Sequence, residues 1–228
     1  MLDSVHPNAL VFNEEVMYVG DSRGSIHEWS VQIKNGPIIT QKLRTIRHPD
    51  LEGDAINYLA IEPEEGKKLV VHSRDNCIRL LHHWGDRIKV AKRFFGSKCK
   101  DVMVRSVMSP DGQYLIAGSE DGTPHVWSVV TGTEEMEAAR HFECALMDSV
   151  CDVDWNPKLN IIAMSGFGKE YPIMLYVYEK SREELALEQG VGFFDDYGEK
   201  DKLGETVRPG MGGGQFTPGT TMMGASFS

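Results

Sequence analysis

The sequence predicts an all-β chain folded into β-propeller blades, and three observations lead there. Tight polar turns alternate with short apolar runs over most of the 228 residues. The prolines at 63, 110 and 157 recur 47 residues apart. The passage Ser109-Pro-Asp-Gly-Gln-Tyr-Leu-Ile-Ala-Gly-Ser-Glu-Asp-Gly-Thr-Pro-His-Val-Trp127 strings together a turn, an apolar strand, a second tight turn and a strand ending on Trp127. Self-similarity at a period of about 40–50 residues marks a propeller, in which each blade is one four-stranded unit.

Four blades are readable in order. The first shows Val16-Met-Tyr-Val19, the turn Asp21-Ser-Arg-Gly24 and a strand ending at Trp29. The second has Asn57-Tyr-Leu-Ala-Ile-Glu-Pro63, the apolar run Lys68-Leu-Val-Val71 and the turn Ser73-Arg-Asp-Asn76. The third runs from Arg105-Ser-Val-Met-Ser-Pro110 through Tyr114-Leu-Ile-Ala117 to Ser119-Glu-Asp-Gly122. The fourth contains Asp152-Val-Asp-Trp-Asn-Pro157, Ile161-Ile-Ala-Met164 and Gly166-Phe-Gly-Lys169. Apolar runs bounded by Gly, Asn and Asp turns read as strands. Trp29, Leu81 and Trp127 each follow Gly24, Asn76 and Gly122 by five residues and hold equivalent interior places, with Tyr176 or Tyr178 in the fourth blade. Trp155 belongs to the same apolar framework. This spacing is of the WD40 type, in which an Asp in the second turn is a structural residue; Asp75 and Asp121 stand there, whereas Arg23 and Lys169 stand in blades one and four. Local backbone bonding accounts for an Asp at a tight turn.

A chain that is 41% apolar can bury a sizeable core. No stretch approaches the ~20 apolar residues of a membrane-spanning helix, and Met-Leu-Asp with no apolar run behind it is not a secretory signal, so a cytoplasmic protein is expected. Cys77, Cys99, Cys144 and Cys151 lack metal or redox spacing and are expected as reduced thiols. A net charge of −10 argues against nucleic acid as a ligand. Lys89, Lys92, Arg93, Lys98 and Lys100 surround Phe94 and Phe95, a pattern that suits a half-exposed outer strand guarded by lysines.

Neither an enzyme nor a cofactor is indicated. Gly166-Phe-Gly-Lys169 lacks the spacing of a phosphate loop, Gly190-x-Gly192 lacks a third glycine, and neither His-Glu-x-x-His nor Gly-x-Ser-x-Gly occurs. His82 and His83 are adjacent, so on a strand they point to opposite faces and cannot share a metal. Composition changes near residue 179. Blades are expected over residues 1–180, and over 181–228 a C-terminal unit comprising a short helix, which begins at Glu179 and runs to Gln189, and then a disordered tail containing Pro209-Gly-Met-Gly-Gly-Gly214.

Several segments go beyond generic repeats. Asp54-Ala-Ile-Asn-Tyr-Leu-Ala-Ile-Glu-Pro63, Lys68-Leu-Val-Val-His-Ser-Arg-Asp-Asn-Cys-Ile-Arg79, Ala91-Lys-Arg-Phe-Phe-Gly96, Gly118-Ser-Glu-Asp-Gly122 and Phe167-Gly-Lys-Glu-Tyr-Pro-Ile-Met-Leu-Tyr-Val-Tyr178 resemble, in the same order, the last blades of the jouberin family, over residues 4 to 180. The resemblance implies a non-catalytic scaffold of the ciliary base, with transition-zone and basal-body proteins as partners and a role in cilium assembly. The alternative is a WD40 adaptor in another assembly, such as ubiquitin ligation or vesicle traffic. Four blades fall short of a seven-bladed ring, which leaves a partial sequence, a propeller completed by another chain, or a small closed ring.

A partner is expected on the narrow face, made of the second turns and of the segments leading into each blade. The turns contribute Arg23, Arg74, Glu120 and Lys169; the lead-ins contribute Asp50, Glu52, Asp54, Lys98, Lys100, Asp101 and Asp148. Loops of both signs on a rigid scaffold suit a protein with a patterned charged surface, and Arg74 is the first choice among them.

Overall fold

The computed structural model of the chain describes residues 5–33, 36–63, 65–84, 87–132, 148–159, 161–167, 173–178 and 216–218. Every regular element among them is a strand, in four antiparallel sheets. Blade one comprises β1 (Pro7–Asn13), β2 (Val16–Asp21), β3 (Ile26–Ile33) and β4 (Ile38–Ile46). Blade two comprises β5 (Ile56–Ile61), β6 (Lys68–Ser73), β7 (Cys77–Trp84) and β8 (Arg87–Phe95). Blade three shows β9 (Ser106–Met108), β10 (Tyr114–Ala117) and β11 (His125–Ser128); residues 133–147, where a fourth strand would fall, lie outside the described residues. Blade four comprises β12 (Val150–Trp155), β13 (Ile161–Gly166), β14 (Met174–Tyr178) and β15 (Phe216–Pro218). The four blades expected from the repeat are therefore present, in the expected order.

The second strands of blades two and three, which have a blade on either side, are continuous apolar runs because they are covered on both faces. In β6, Leu69 to Ser73 are all buried. The outer strand β4 is exposed along most of its length, consistent with its polar sequence Thr40-Gln-Lys. The basic stretch 89–95 is likewise outer strand β8.

Cores lie between blades. One apolar cluster joins Ala9, Tyr18 and Ile26 of blade one to Leu59, Val71 and Leu81 of blade two. Another joins Val70, Leu80 and Phe94 of blade two to Leu115 and Trp127 of blade three. A third joins Ile116 and Val126 of blade three to Val153, Ile162 and Tyr176 of blade four. The innermost strands pack in sequence, β1 on β5, β5 on β9 and β9 on β12, and no substantial contact joins β1 to β12 among the described residues. The blades thus form an open arc.

Equivalence of the blades extends to single residues. Met17 pairs across the ladder with Trp29, Leu69 with Leu81, Leu115 with Trp127 and Ile162 with Tyr176. Tyr176, not Tyr178, therefore holds the place of Trp127 in blade four. Trp127 is fully buried, donates from Nε1 to the Phe95 carbonyl at 3.0 Å, and lies 5.9 Å from the Phe94 ring. Trp29 and Trp155 are half-buried.

The expected helix over 179–189 and most of the tail lie outside the described residues. Within the tail, Phe216–Pro218 forms β15, pairing with β14 and supplying the fourth strand of blade four. Cys77, Cys99 and Cys151 are free thiols, and burial pushes Cys77 up to about 11. Cys144 lies outside the described residues. No helix among the described residues is long and apolar enough to cross a membrane.

Candidate interaction face

Three second turns build the core of the narrow face, and each needs one residue with positive φ. Gly24, Asn76 and Gly122 take it, at 81°, 63° and 79°. In the first turn no side chain could replace glycine, since a Cβ on Gly24 would lie 1.6 Å from the Leu51 carbonyl oxygen. Asn is the non-glycine residue that best tolerates this region.

A carboxylate closes each turn. Asp75 accepts from the Cys77 amide at 3.2 Å and Asp121 from the Thr123 amide at 3.2 Å. Blade one is not without such a group, despite Arg23. Asp21, three residues before Gly24, accepts from the amides of Arg23 at 2.8 Å and Ser25 at 2.9 Å. The sequence reading missed it by looking only at the position next to the glycine; an Asp opening a turn that ends in Gly was the available signal.

Three residues beyond each positive-φ position stands a basic or imidazole side chain: His27, Arg79 and His125. His27 Nε2 lies 2.9 Å from Asp21 Oδ2. Arg79 grips Asp75 through Nη1 at 3.0 Å and also through Nη2. His125 stacks on Trp127 at 5.7 Å. Although burial opposes it most strongly, the two turn amides and His27 together hold the Asp21 carboxyl below its usual range.

Lead-in segments are clipped to these turns. Gly53 N–H donates to the Arg23 carbonyl at 3.1 Å, and Asn76 Oδ1 accepts from the Cys99 amide at 2.8 Å. Asn76, rather than Asp75, is the side chain that ties blade two to the next lead-in. Glu120 Oε1 accepts from the amides of Asp101 at 2.6 Å and Val102 at 2.9 Å, and Lys98 Nζ lies 3.3 Å from Asp121. Asp50 bonds Arg93 at 2.5 Å, and that hydrogen bond is the main cause holding its carboxyl below the usual range.

The expected partner-binding residues divide accordingly. Glu120 is occupied by backbone amides, Lys98 pairs with Asp121, and the exposed Arg74 donates from Nε to Asn57 Oδ1 at 3.0 Å. Asp54 is half-buried against the Gly24 turn. Lys100, Asp101 and Asp148 are exposed, and Lys169 lies outside the described residues. Arg23 is exposed with no described side-chain partner, and it lines a groove of 390 Å³ with Ser25, Arg47, His48 and Glu52. Arg47 and His48 were not anticipated, because the lead-in was taken to begin at Asp50, whereas β4 ends at Ile46 and the lead-in starts at Arg47. Two guanidinium groups above a rigid backbone floor can hold a carboxylate or phosphate bidentately, with Glu52 beside them to accept from a neighbouring donor. Among the described residues, no cluster of His, Cys, Asp and Glu has the makings of a metal site.

Comparison with known proteins agrees with this architecture. Residues 89–128 match the family described as WD domain, G-beta repeat (WD40). The chain is 30% identical to jouberin of Rattus norvegicus over 183 residues, covering 75% of this chain and 16% of that protein. Jouberin of Mus musculus is 30% identical over 179 residues with the same coverage, so the chain spans about a sixth of the relatives it matches. Among solved structures, a chain of the mitotic checkpoint complex superposes with a TM-score of 0.59 at 17% identity, covering 77% of this chain and 49% of that one. Sqt1 from Chaetomium thermophilum, bound to the N-terminus of the ribosomal protein L10, superposes with a TM-score of 0.54 at 16% identity, covering 77% and 48%. These structures share the fold alone. With its WD40 repeat, its four propeller blades and its jouberin homology over three quarters of the length, the chain is a jouberin-like WD40 protein.

Proposed function

We propose that the chain is a non-catalytic protein-interaction scaffold of the jouberin type, acting in cilium assembly at the ciliary base with transition-zone proteins as its partners. The observation that carries the reading is the 30% identity to jouberin over three quarters of the chain, beside the run Phe167-Gly-Lys-Glu-Tyr-Pro-Ile-Met-Leu-Tyr, which goes beyond what a generic blade needs. The geometry supports a scaffold: the second turns carry Arg23 and Arg74, the first lead-in carries Arg47, and the carboxylates of Asp21, Asp50 and Asp121 are engaged in structural bonds. The groove at Arg23 suits an acidic or phosphorylated protein segment. Proximity labelling with the tagged chain in ciliated cells tests the reading. Enrichment of transition-zone and basal-body proteins, lost on Arg23→Glu with folding unchanged, is the expected result.

A second reading, a WD40 adaptor of another assembly such as a ubiquitin ligase or a vesicle coat, is favoured by one observation. The homology spans only 16% of jouberin, so its other regions are not represented in the match. Labelling dominated by ligase or coat subunits would select it.

A further inference from the structure

We infer that the groove at the first turn reads phosphorylated side chains, taking a phosphoserine or phosphothreonine of a partner protein between Arg23 and Arg47. The inference rests on the scaffold reading and narrows the acidic or phosphorylated segment named there to the phosphorylated one.

Both walls of the groove are fixed, and both come from residues 23–53. Arg23 is held by its own backbone, since its amide donates to Asp21 Oδ1 at 2.8 Å and its carbonyl accepts from the Gly53 amide at 3.1 Å. The lead-in opposite folds back on itself, with the amides of Leu51 and Glu52 donating to the His48 carbonyl at 2.9 and 3.2 Å. Turn and lead-in lie so close that a Cβ on Gly24 would meet the Leu51 carbonyl. A ligand therefore enters a formed site, and binding does not have to order the backbone.

The donors match a phosphoryl group in number and kind. The guanidinium groups of Arg23 and Arg47 are exposed, and no hydrogen bond or ion pair engages either among the described residues. His48 adds a third donor. Its Nδ1 accepts from the Asp50 amide at 3.2 Å, so the ring carries its proton on Nε2. A phosphoryl group has three acceptor oxygens and a charge of about −1.5 to −2, which suits two guanidinium forks and an imidazole donor. A carboxylate, with two oxygens and a single charge, leaves a donor over. An extended acidic segment also lays further carboxylates on a chain of net charge −10, whereas a phosphoryl group concentrates its charge at the groove. Glu52, exposed beside the arginines, accepts from an N–H or a basic side chain next to the phosphorylated residue. Two arginines are too few for an anionic membrane surface, which takes clusters of about four to eight Lys or Arg.

The equivalent places in the next two blades lack this chemistry. Arg74 holds the place of Arg23 in blade two, but it donates from Nε to Asn57 Oδ1 at 3.0 Å. Glu120 holds it in blade three and accepts from the amides of Asp101 and Val102. In the register of the outer strands Ile46 corresponds to Phe94, so Arg47 and His48 stand where blade two has Phe95 and Gly96. Among the described residues the donor set is thus confined to the first turn, and the repeat does not require it.

The test is retention, on the immobilised 228-residue chain, of a peptide library with a fixed central phosphoserine and mixed flanks, beside the same library with Ser or Asp at the centre. The phosphoserine library is expected to be retained at least about ten-fold better than either, with the margin reduced at high salt. Arg23→Gln and Arg47→Gln should each remove the preference with the sheet circular dichroism unchanged, because both side chains are exposed, while Arg74→Gln should leave it intact. Retention of the Asp library as strongly as the phosphoserine library overturns the inference in favour of a carboxylate site. Equal retention of all three, or of none, overturns it outright. So does a preference that survives both arginine variants, which puts the phosphate elsewhere, or binding to phosphoinositide-containing vesicles in preference to peptide. A chain that prefers no phosphopeptide yet still labels transition-zone proteins overturns the phosphate site and leaves the scaffold reading standing. A phosphoserine preference lost in Arg23→Gln, beside labelling of ligase or coat subunits, does the reverse.

Discussion

Blades one and two are built from the same register of residues, yet the same positions have opposite surroundings. Leu59 and Leu81 of blade two lie in the cluster shared with blade one, while Leu10 and Trp29 of blade one face outward. Both blades carry a bulge at the same place, between Leu80 and Leu81 and between Glu28 and Trp29. Strand pairing is thus settled within a blade, whereas burial is settled by the neighbour. A residue's contribution to stability follows its neighbour, not its place in the repeat.

The largest expected effect separates two tryptophans of equivalent register. Trp127→Ala should cost about 3–5 kcal/mol in urea denaturation, as a large-to-small change in a filled core. Trp29→Ala, at a half-buried position, should cost about 1–2 kcal/mol. Equal costs would mean that blade one is covered as fully as blade three.

A second contrast is chemical. His72 lies on the leading face of blade two, fully buried, with neither ring nitrogen hydrogen-bonded, where blades one and three have Gly20 and Gly118. Burial lowers its pKa from 6.5 to about 4. Well above pH 6.5 the ring is neutral in both folded and unfolded chains and adds no pH dependence. As pH falls from there toward 4 the unfolded chain takes up a proton that the folded chain refuses, so stability is lost across that window, by about 3 kcal/mol in all. Denaturation curves at pH 7 and pH 4.5 should show the loss, and His72→Met should remove most of it. A pH slope unchanged in that variant would place its origin elsewhere.

Two glycines sharpen the contrast between a turn under its neighbour and one in the open. Gly24→Ala meets the Leu51 carbonyl and should cost about 2–3 kcal/mol, whereas Gly53→Ala, with open space around it, should cost only the roughly 1 kcal/mol of its positive φ. Thermal melts of the two variants measure the difference. The smallest effect concerns the clip between blades two and three. Asn76→Gly keeps the turn but removes the acceptor for the Cys99 amide, and should cost about 1 kcal/mol with faster amide exchange at Cys99. Unaltered exchange there would show that the turn, not the clip, holds the lead-in.

The blades were legible because each is local. Lys68-Leu-Val-Val71 reads as a doubly covered strand, Ser73-Arg-Asp-Asn76 as its turn, and the strand beyond follows the turn directly. Much less of the face was legible. Glu120 looks like a free charge in sequence, and only the fold brings the amides of Asp101 and Val102 to it. Arg47 and Arg23 are 24 positions apart in the chain and meet only across a groove.

Period, turn chemistry and apolar patterning by themselves determined the blade count, the order of strands and the equivalence of Trp29, Leu81 and Trp127, because hairpin register depends on residues a few positions apart. Only the tertiary structure decided that Trp127 is fully buried and Trp29 half-buried, that Asn76 ties one blade to the next lead-in, and that β15 from beyond residue 215 completes blade four. Those outcomes depend on which sheet lies against which, and packing between sheets joins residues that no local pattern relates.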